Sequence, residues 1–274
     1  MKLKSNVAIA MLMLLISTST LATDSKQPQN RDSTAQVVER ALFVGNSFSY
    51  FNNGIHNHYS SLIKAAGDWQ KGEHGNRLLT LSGGRLVEQM DAVSAVLASQ
   101  GEETFDVVVL QEHSTGAIRQ STQLSFFQSV ETLSKQARAS GAEPILFMTW
   151  AYRNKPNMLS GIVKGYEQAA GVNGLRIAPV GLAFDKVRAT YPNINLYVAD
   201  IIGFDKQGKI RYSENLKHPS LAGTYLAACV FYAVLQGKSP QGLNYNPGLP
   251  RADVEKLQAI AWQVVSEFKQ VAME

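Results

Sequence analysis

From about residue 39 onward, short apolar runs alternate with longer stretches in which apolar residues recur at helical spacing. "RALFVG", "LLTLSG", "FDVVVLQE", "EPILFMTWAY" and "LRIAPVG" read as strands, rich in β-branched and aromatic residues. The spacing between them predicts helices over 54–67, 85–99, 121–140 and 157–171. Hydrophobicity is continuous rather than alternating in the strands, as from Val107 to Leu110, which implies that both sheet faces are covered. Helices between such strands are what parallel connections require, so the pattern predicts an α/β sandwich with a mainly parallel sheet. Gly45, Gly83 and Gly181 follow strands, and Gly141 ends a helix, the punctuation of tight turns. After Tyr197 the pattern breaks into a loop, "ADIIGFDKQGKIRYSENLK". A helix then begins in "HPSLAGTYLAACVFYAVLQG", with Pro219 near its first turn, and a last helix is predicted near 251–271.

The first residues follow another rule. Lys2 and Lys4, an apolar stretch from Val7 to Ile16 and small residues up to Ala22 read as an export signal over 1–22. The apolar stretch is shorter than the roughly 20 residues that span a bilayer, so no stable membrane insertion is expected after cleavage. Residues 23–38 are polar without a clear period and read as a flexible leader, leaving 39–274 as a single domain. The expected location is outside the cytoplasm, periplasmic or secreted.

Composition adds little to partner choice. The 274 residues carry 26 basic and 22 acidic side chains, a formal charge of +4, and loss of 1–22 would lower it to +2. No dense run of Lys and Arg marks a nucleic-acid stripe, so no nucleic-acid partner is expected. Cys229 is the single cysteine, which excludes an intramolecular disulfide. His56 and His58 stand two apart, on different faces of a helix, with no third ligand at familiar zinc spacing, so neither metal nor organic cofactor is predicted.

In a parallel α/β sheet, ligands bind beyond the carboxyl ends of the strands. Ser47, Gly83, Gly84, Gln111, Glu112, His113, Trp150 and Tyr152 all fall at such ends. Among them, "VGNSFS" resembles the first block of the SGNH (GDSL-like) hydrolases, and "KHPSLAGTYLAA" resembles the last, in that order along the chain. The resemblance implies a three-layer α/β/α sandwich with a flavodoxin-like sheet and the chemistry of a serine esterase. It makes Ser47 the nucleophile and His218 the base, because a serine hydroxyl attacks an ester only when an imidazole accepts its proton. "LSGGRLVEQM" is similar to the second block, with Gly83 as an oxyanion donor and Gly84 close behind.

Two positions depart from the family's pattern. Its Gly-x-Asn-Asp is absent, and in "VVVLQEHSTGA" Gln111 is the candidate third oxyanion donor, with His113 the alternative. Where the family commonly has an aspartate three residues before the histidine, this chain has Asn215, whose carbonyl could orient the imidazole without stabilising its charge. Glu214, Glu112 and Asp200 remain open as sources of a carboxylate. His113, Trp150 and Tyr152 are candidates for substrate binding, the aromatics as faces for a sugar ring or an acyl group. The expected substrate is a small-molecule or carbohydrate ester, an acetylated sugar by preference. A catalytically weak carbohydrate- or envelope-binding protein and an O-acyltransferase are the alternatives.

Overall fold

In the computed structural model, which describes residues 37–99, 101 and 104–271, five strands form one parallel sheet. They are β1 (Ala41–Gly45), β2 (Arg77–Thr80), β3 (Val107–Leu110), β4 (Glu143–Phe147) and β5 (Arg176–Ala178). Their spatial order, β2-β1-β3-β4-β5, is that of flavodoxin-like folds. The described residues lie in one compact unit, Ala35–Glu274. The export signal and nearly all of the leader, 1–36, lie outside the described residues.

Eight helices accompany the strands among the described residues: α1 (Ser47–Tyr50), α2 (Ile55–Ala65), α3 (Met90–Ala98), α4 (Gln120–Ala139), α5 (Met158–Asn173), α6 (Val180–Thr190), α7 (Leu221–Leu235) and α8 (Arg251–Val271). A 3₁₀ turn, Leu86–Gln89, leads into α3. None of these helices is long and apolar enough to cross a membrane.

The continuous hydrophobicity of the strands follows from two cores, one on each sheet face. Ala41 and Phe43 of β1, Val107 and Val109 of β3, and Ile145 and Phe147 of β4 pack with α2, α6, α7 and α8. Their neighbours Leu42, Val44, Val108, Leu110 and Leu146 point the other way, into a core shared with α3, α4 and α5. Successive strand residues alternate faces, so every position must be apolar when both faces are covered. Burying one such Phe or Leu side chain completely contributes about 1.5–3 kcal/mol.

Two expectations from the pattern fail. β5 stops at Ala178, and the "VG" after Pro179 already belongs to α6, a helix absent from the predicted set. Gly181 therefore sits inside a helix, where its missing side chain lets the helix approach the backbone of Thr149; a Cβ there would lie 2.1 Å from the Thr149 carbonyl oxygen. The stretch read as a loop after Tyr197 contains an antiparallel hairpin of β6 (Ile201–Phe204) and β7 (Ile210–Tyr212). Its strands are only four and three residues long and interrupted by a bulge, too short and irregular for a periodicity argument to detect.

Strand order reverses between β1 and β3, and that switch point opens a crevice at the carboxyl end of β1. Gly45 closes β1 against the Gln111 side chain: a Cβ at Gly45 would lie 2.3 Å from Gln111 Oε1 and 2.7 Å from Ser49 Oγ. Gly45→Ala is expected to destabilise the fold by about 1–3 kcal/mol through overpacking. Denaturant unfolding of wild type and variant measures this directly.

Candidate active site

Ser47 is delivered by the turn between β1 and α1. Asn46 caps the helix: its side-chain oxygen accepts the N–H of Phe48 at 3.1 Å, and its amide donates to the Gly84 carbonyl at 2.9 Å. Gln111, at the end of β3, locks the same turn. Its Oε1 accepts the Asn46 N–H at 3.0 Å and the Ser49 hydroxyl at 2.8 Å, while its Nε2 donates to Asn46 Oδ1 at 2.8 Å and to the Glu112 carbonyl at 2.7 Å. Ser47 is left at the first helical position, where a backbone N–H has no acceptor within its own helix.

His218 reaches Ser47 from the far end of the chain. Its Nε2 lies 2.7 Å from Ser47 Oγ, across 171 residues of sequence. Its Nδ1 lies 2.5 Å from Asp200 Oδ1. A carboxylate accepts only, so Nδ1 carries the hydrogen, and Nε2 is left with its lone pair facing the Ser47 hydroxyl. Serine, histidine and aspartate thus form one continuous hydrogen-bonded chain, the arrangement that activates a serine hydroxyl.

The backbone explains why Asp200 rather than Asn215 supports the imidazole. Val198 N–H donates to the His218 carbonyl at 3.0 Å, Tyr197 forms a β-bridge with Pro219, and Ser213 N–H donates to the Asp200 carbonyl at 2.8 Å. The segment between Asp200 and His218 leaves as β6, returns as β7 and brings its two ends together. Asn215 is held elsewhere, with its N–H on Ser213 Oγ at 3.1 Å. The orienting role assigned to Asn215 is therefore corrected: Asp200 makes the contact. Glu214 and Glu112 do not make it, since Glu112 accepts N–H groups from Leu86 and His113 at 3.2 and 2.8 Å.

Four more assignments change. Gln111 is fully buried and both ends of its amide are occupied, so it ties strands and turn together and has no N–H to offer an oxyanion. Trp150 is fully buried, stacked between Phe48 at 4.4 Å and Phe184 at 4.1 Å, with its indole N–H on the Lys217 carbonyl at 2.9 Å. It braces the residue before His218 and presents no face to a substrate. Tyr152 is buried with its hydroxyl 2.8 Å from Ser114 Oγ, away from the crevice lining. His113 is half-buried, turns Nδ1 towards Thr115 Oγ1 at 3.2 Å, and is likewise outside that lining. Burial, followed by the nearby Lys217, pushes its pKa down.

Gly83 lies beside Ser47. It lines the crevice with Ser47, in the left-handed region at φ +66°, which glycine adopts without strain. Gly84 does not compete, because its N–H already donates to the Leu81 carbonyl at 2.9 Å. The crevice has a volume of about 600 Å³, and its walls include Tyr50, Phe51, Ile201 and Ile202. Phe51 stacks on the His218 ring at 4.4 Å and 8° between planes, limiting the imidazole's rotation. Asn52, held at φ +52°, donates to the Pro219 carbonyl at 2.9 Å and fixes the backbone beside the histidine. Neither Phe51 nor Asn52 carries a recognisable motif; their proximity to Ser47 in sequence was the available signal.

Glu112 is a buried carboxyl outside the triad. Burial pushes it up to about 7, although the His113 and Leu86 N–H groups favour its charged form. It joins the segment after Gly83 and Gly84 to the loop after β3.

Among protein-family models and curated proteins, nothing matches this chain. Solved structures do. A protein from Slackia heliotrinireducens, provisionally described as an SGNH hydrolase, superposes with a TM-score of 0.54 at 26% identity over 71% of this chain and 97% of its own. A DUF4886 family protein from Bacteroides uniformis gives 0.60 at 17% identity over 83% and 94%. An acetyl-xylooligosaccharide esterase from Geobacillus gives 0.51 at 17% over 77% and 99%. The chain shares the fold of SGNH hydrolase structures.

Two outcomes are expected. Asp200→Asn should reduce turnover of an activated ester by roughly 10⁴, whereas Asn215→Ala should leave it within a few-fold, as measured by steady-state kinetics. Glu112 holds its proton more tightly folded than unfolded, so its contribution to stability is full below the ordinary carboxyl value of 4.5 and is lost as pH rises through about 7. Urea unfolding between about pH 5 and about pH 8 should show this loss in wild type and a flatter profile in Glu112→Gln.

Proposed function

We propose that the chain is an exported serine esterase that acts through an acyl-enzyme, with an acetyl ester on a carbohydrate as the favoured substrate. The observation that carries the reading is the continuous contact from Asp200 through His218 to Ser47. His218 Nε2 takes the Ser47 proton as Oγ attacks the ester carbonyl. The N–H groups of Ser47 and Gly83 stabilise the negative charge that develops on the carbonyl oxygen. Collapse of the tetrahedral adduct expels the alcohol, which receives its proton from His218. Water, deprotonated by the same imidazole, then attacks the acyl-serine and regenerates the enzyme.

The carbohydrate preference rests on the open crevice, on the Tyr50 and Phe51 rings in its wall, and on likeness to solved structures described as acetyl-xylooligosaccharide and acetyl xylan esterases. Trp150 and Tyr152 do not contribute to it, being buried. Export is supported by the pattern of 1–22 in the sequence. The reading of the chain as a catalytically weak binding protein drew on the missing third-block asparagine and on Asn215 near His218; the Asp200 contact answers the second of these.

Wild type is expected to hydrolyse p-nitrophenyl acetate and to incorporate one fluorophosphonate per chain, and Ser47→Ala to do neither. Equal rates in the two proteins would remove Ser47 from the mechanism. Partitioning of the acetyl group between water and an added sugar hydroxyl distinguishes hydrolysis from transfer.

A further inference from the structure

The β6–β7 hairpin carries an apolar surface that the esterase reading does not use. Ile201 pairs with Tyr212 and Phe204 with Ile210, and directly paired residues share a face of a ladder. Ile201 and Phe204 are three apart, which would place them on opposite faces of a regular strand. The bulge between Ile201 and Gly203 supplies the extra residue that brings both onto the face of Ile210 and Tyr212. All four are open to solvent, at 60, 66, 40 and 53% exposure in the order Ile201, Phe204, Ile210, Tyr212. A soluble surface has no use for four large apolar side chains gathered on one short hairpin, and such clusters mark places where something binds.

Charge identifies the occupant. Lys206, Lys209 and Arg211 are exposed on the same hairpin, and none of the ion pairs among the described residues involves them. The hairpin's one carboxylate, Asp205, is spent on its turn, accepting the N–H groups of Gln207 and Lys209 at 3.0 and 2.8 Å. A second copy meeting the hairpin tip to tip across a two-fold axis would bring Lys206 and Lys209 of both copies against each other; Arg211, between Ile210 and Tyr212, points to the opposite face. An anionic bilayer satisfies both features, with the apolar tips entering the interface and the basic groups meeting headgroups.

We propose that the β6–β7 hairpin docks this protein on anionic lipid surfaces. The docked hairpin starts one residue after Asp200, and Ile201 also lines the crevice, so docking would set the mouth of the crevice at the lipid boundary. The surface goes beyond the proposed reaction and does not depend on it.

The full-length protein, at low salt, is sedimented with vesicles of phosphatidylcholine alone or mixed equally with phosphatidylglycerol. Wild type is expected to pellet with the mixed vesicles and remain in solution with phosphatidylcholine. Phe204→Ser and the double variant Lys206→Glu/Lys209→Glu should each lose roughly tenfold or more of this binding, with hydrolysis of soluble p-nitrophenyl acetate unchanged. Ser47→Ala should bind like wild type, which separates failure of docking from failure of the esterase reading. Wild type that stays in solution with both vesicles, or variants that bind as well as wild type, overturns the proposal. So does a concentration-dependent dimer that Phe204→Ser dissociates without any vesicle binding, since a second copy would then cover the face.

Discussion

The site exists only because the carboxyl end of β1 and the approach to α7 are held within hydrogen-bond reach. Ser47 and His218 lie 171 residues apart, and the 2.7 Å between Oγ and Nε2 survives only if both backbones are fixed independently. On the serine side the fixing is done by Gln111, whose amide grips the turn from inside, and by the Asn46 cap. On the histidine side it is done by Trp150 beneath Lys217, Asn52 behind Pro219 and the Phe51 ring against the imidazole. The Gln111 contacts are saturated and fully buried, where a displaced group finds no water to replace its partner. The central sheet supplies the frame, because the switch in strand order leaves a gap at the end of β1 that neighbouring helices do not fill.

The route by which the carboxylate arrives differs from the short spacing of the family motif. Asp200 is 18 residues from His218, and the chain between them folds back on itself as a hairpin. A catalytic contact is a constraint in space, so an acid three residues away and an acid at the root of a hairpin can meet the same imidazole nitrogen. The hairpin also puts short exposed strands next to the triad. Its apolar face is exposed in the same region where the crevice opens.

Residues that looked like site chemistry in the sequence turned out to divide by burial. Gln111, Trp150 and Tyr152 all stand at strand ends, as a rim residue should, yet each turns inward and is consumed by packing or hydrogen bonds. A strand end gives a residue its position along the sheet normal to solvent, but the direction of its side chain depends on the loop that follows. Glu112 shows the same principle with a charge: its burial follows from the loop after Gly84 folding over it, and that burial raises its pKa to about 7.

The sequence by itself determined the layers, the parallel sheet and the turn that presents Ser47, which follow from local periodicity and glycine placement in neighbouring residues. The pairing of that serine with His218 was implied by the resemblance of two short motifs to the SGNH hydrolases, not by local pattern. Only the tertiary structure decided that Asp200 rather than Asn215 meets the imidazole, that Gln111 is a fastener, that Trp150 is core, and that "ADIIGFDKQGKIRY" forms a hairpin with one apolar face. In each of those cases the deciding term is a contact between segments far apart in the chain or a side-chain direction set by a bulge or loop. Local pattern carries no record of either, because such contacts form only when the chain closes on itself.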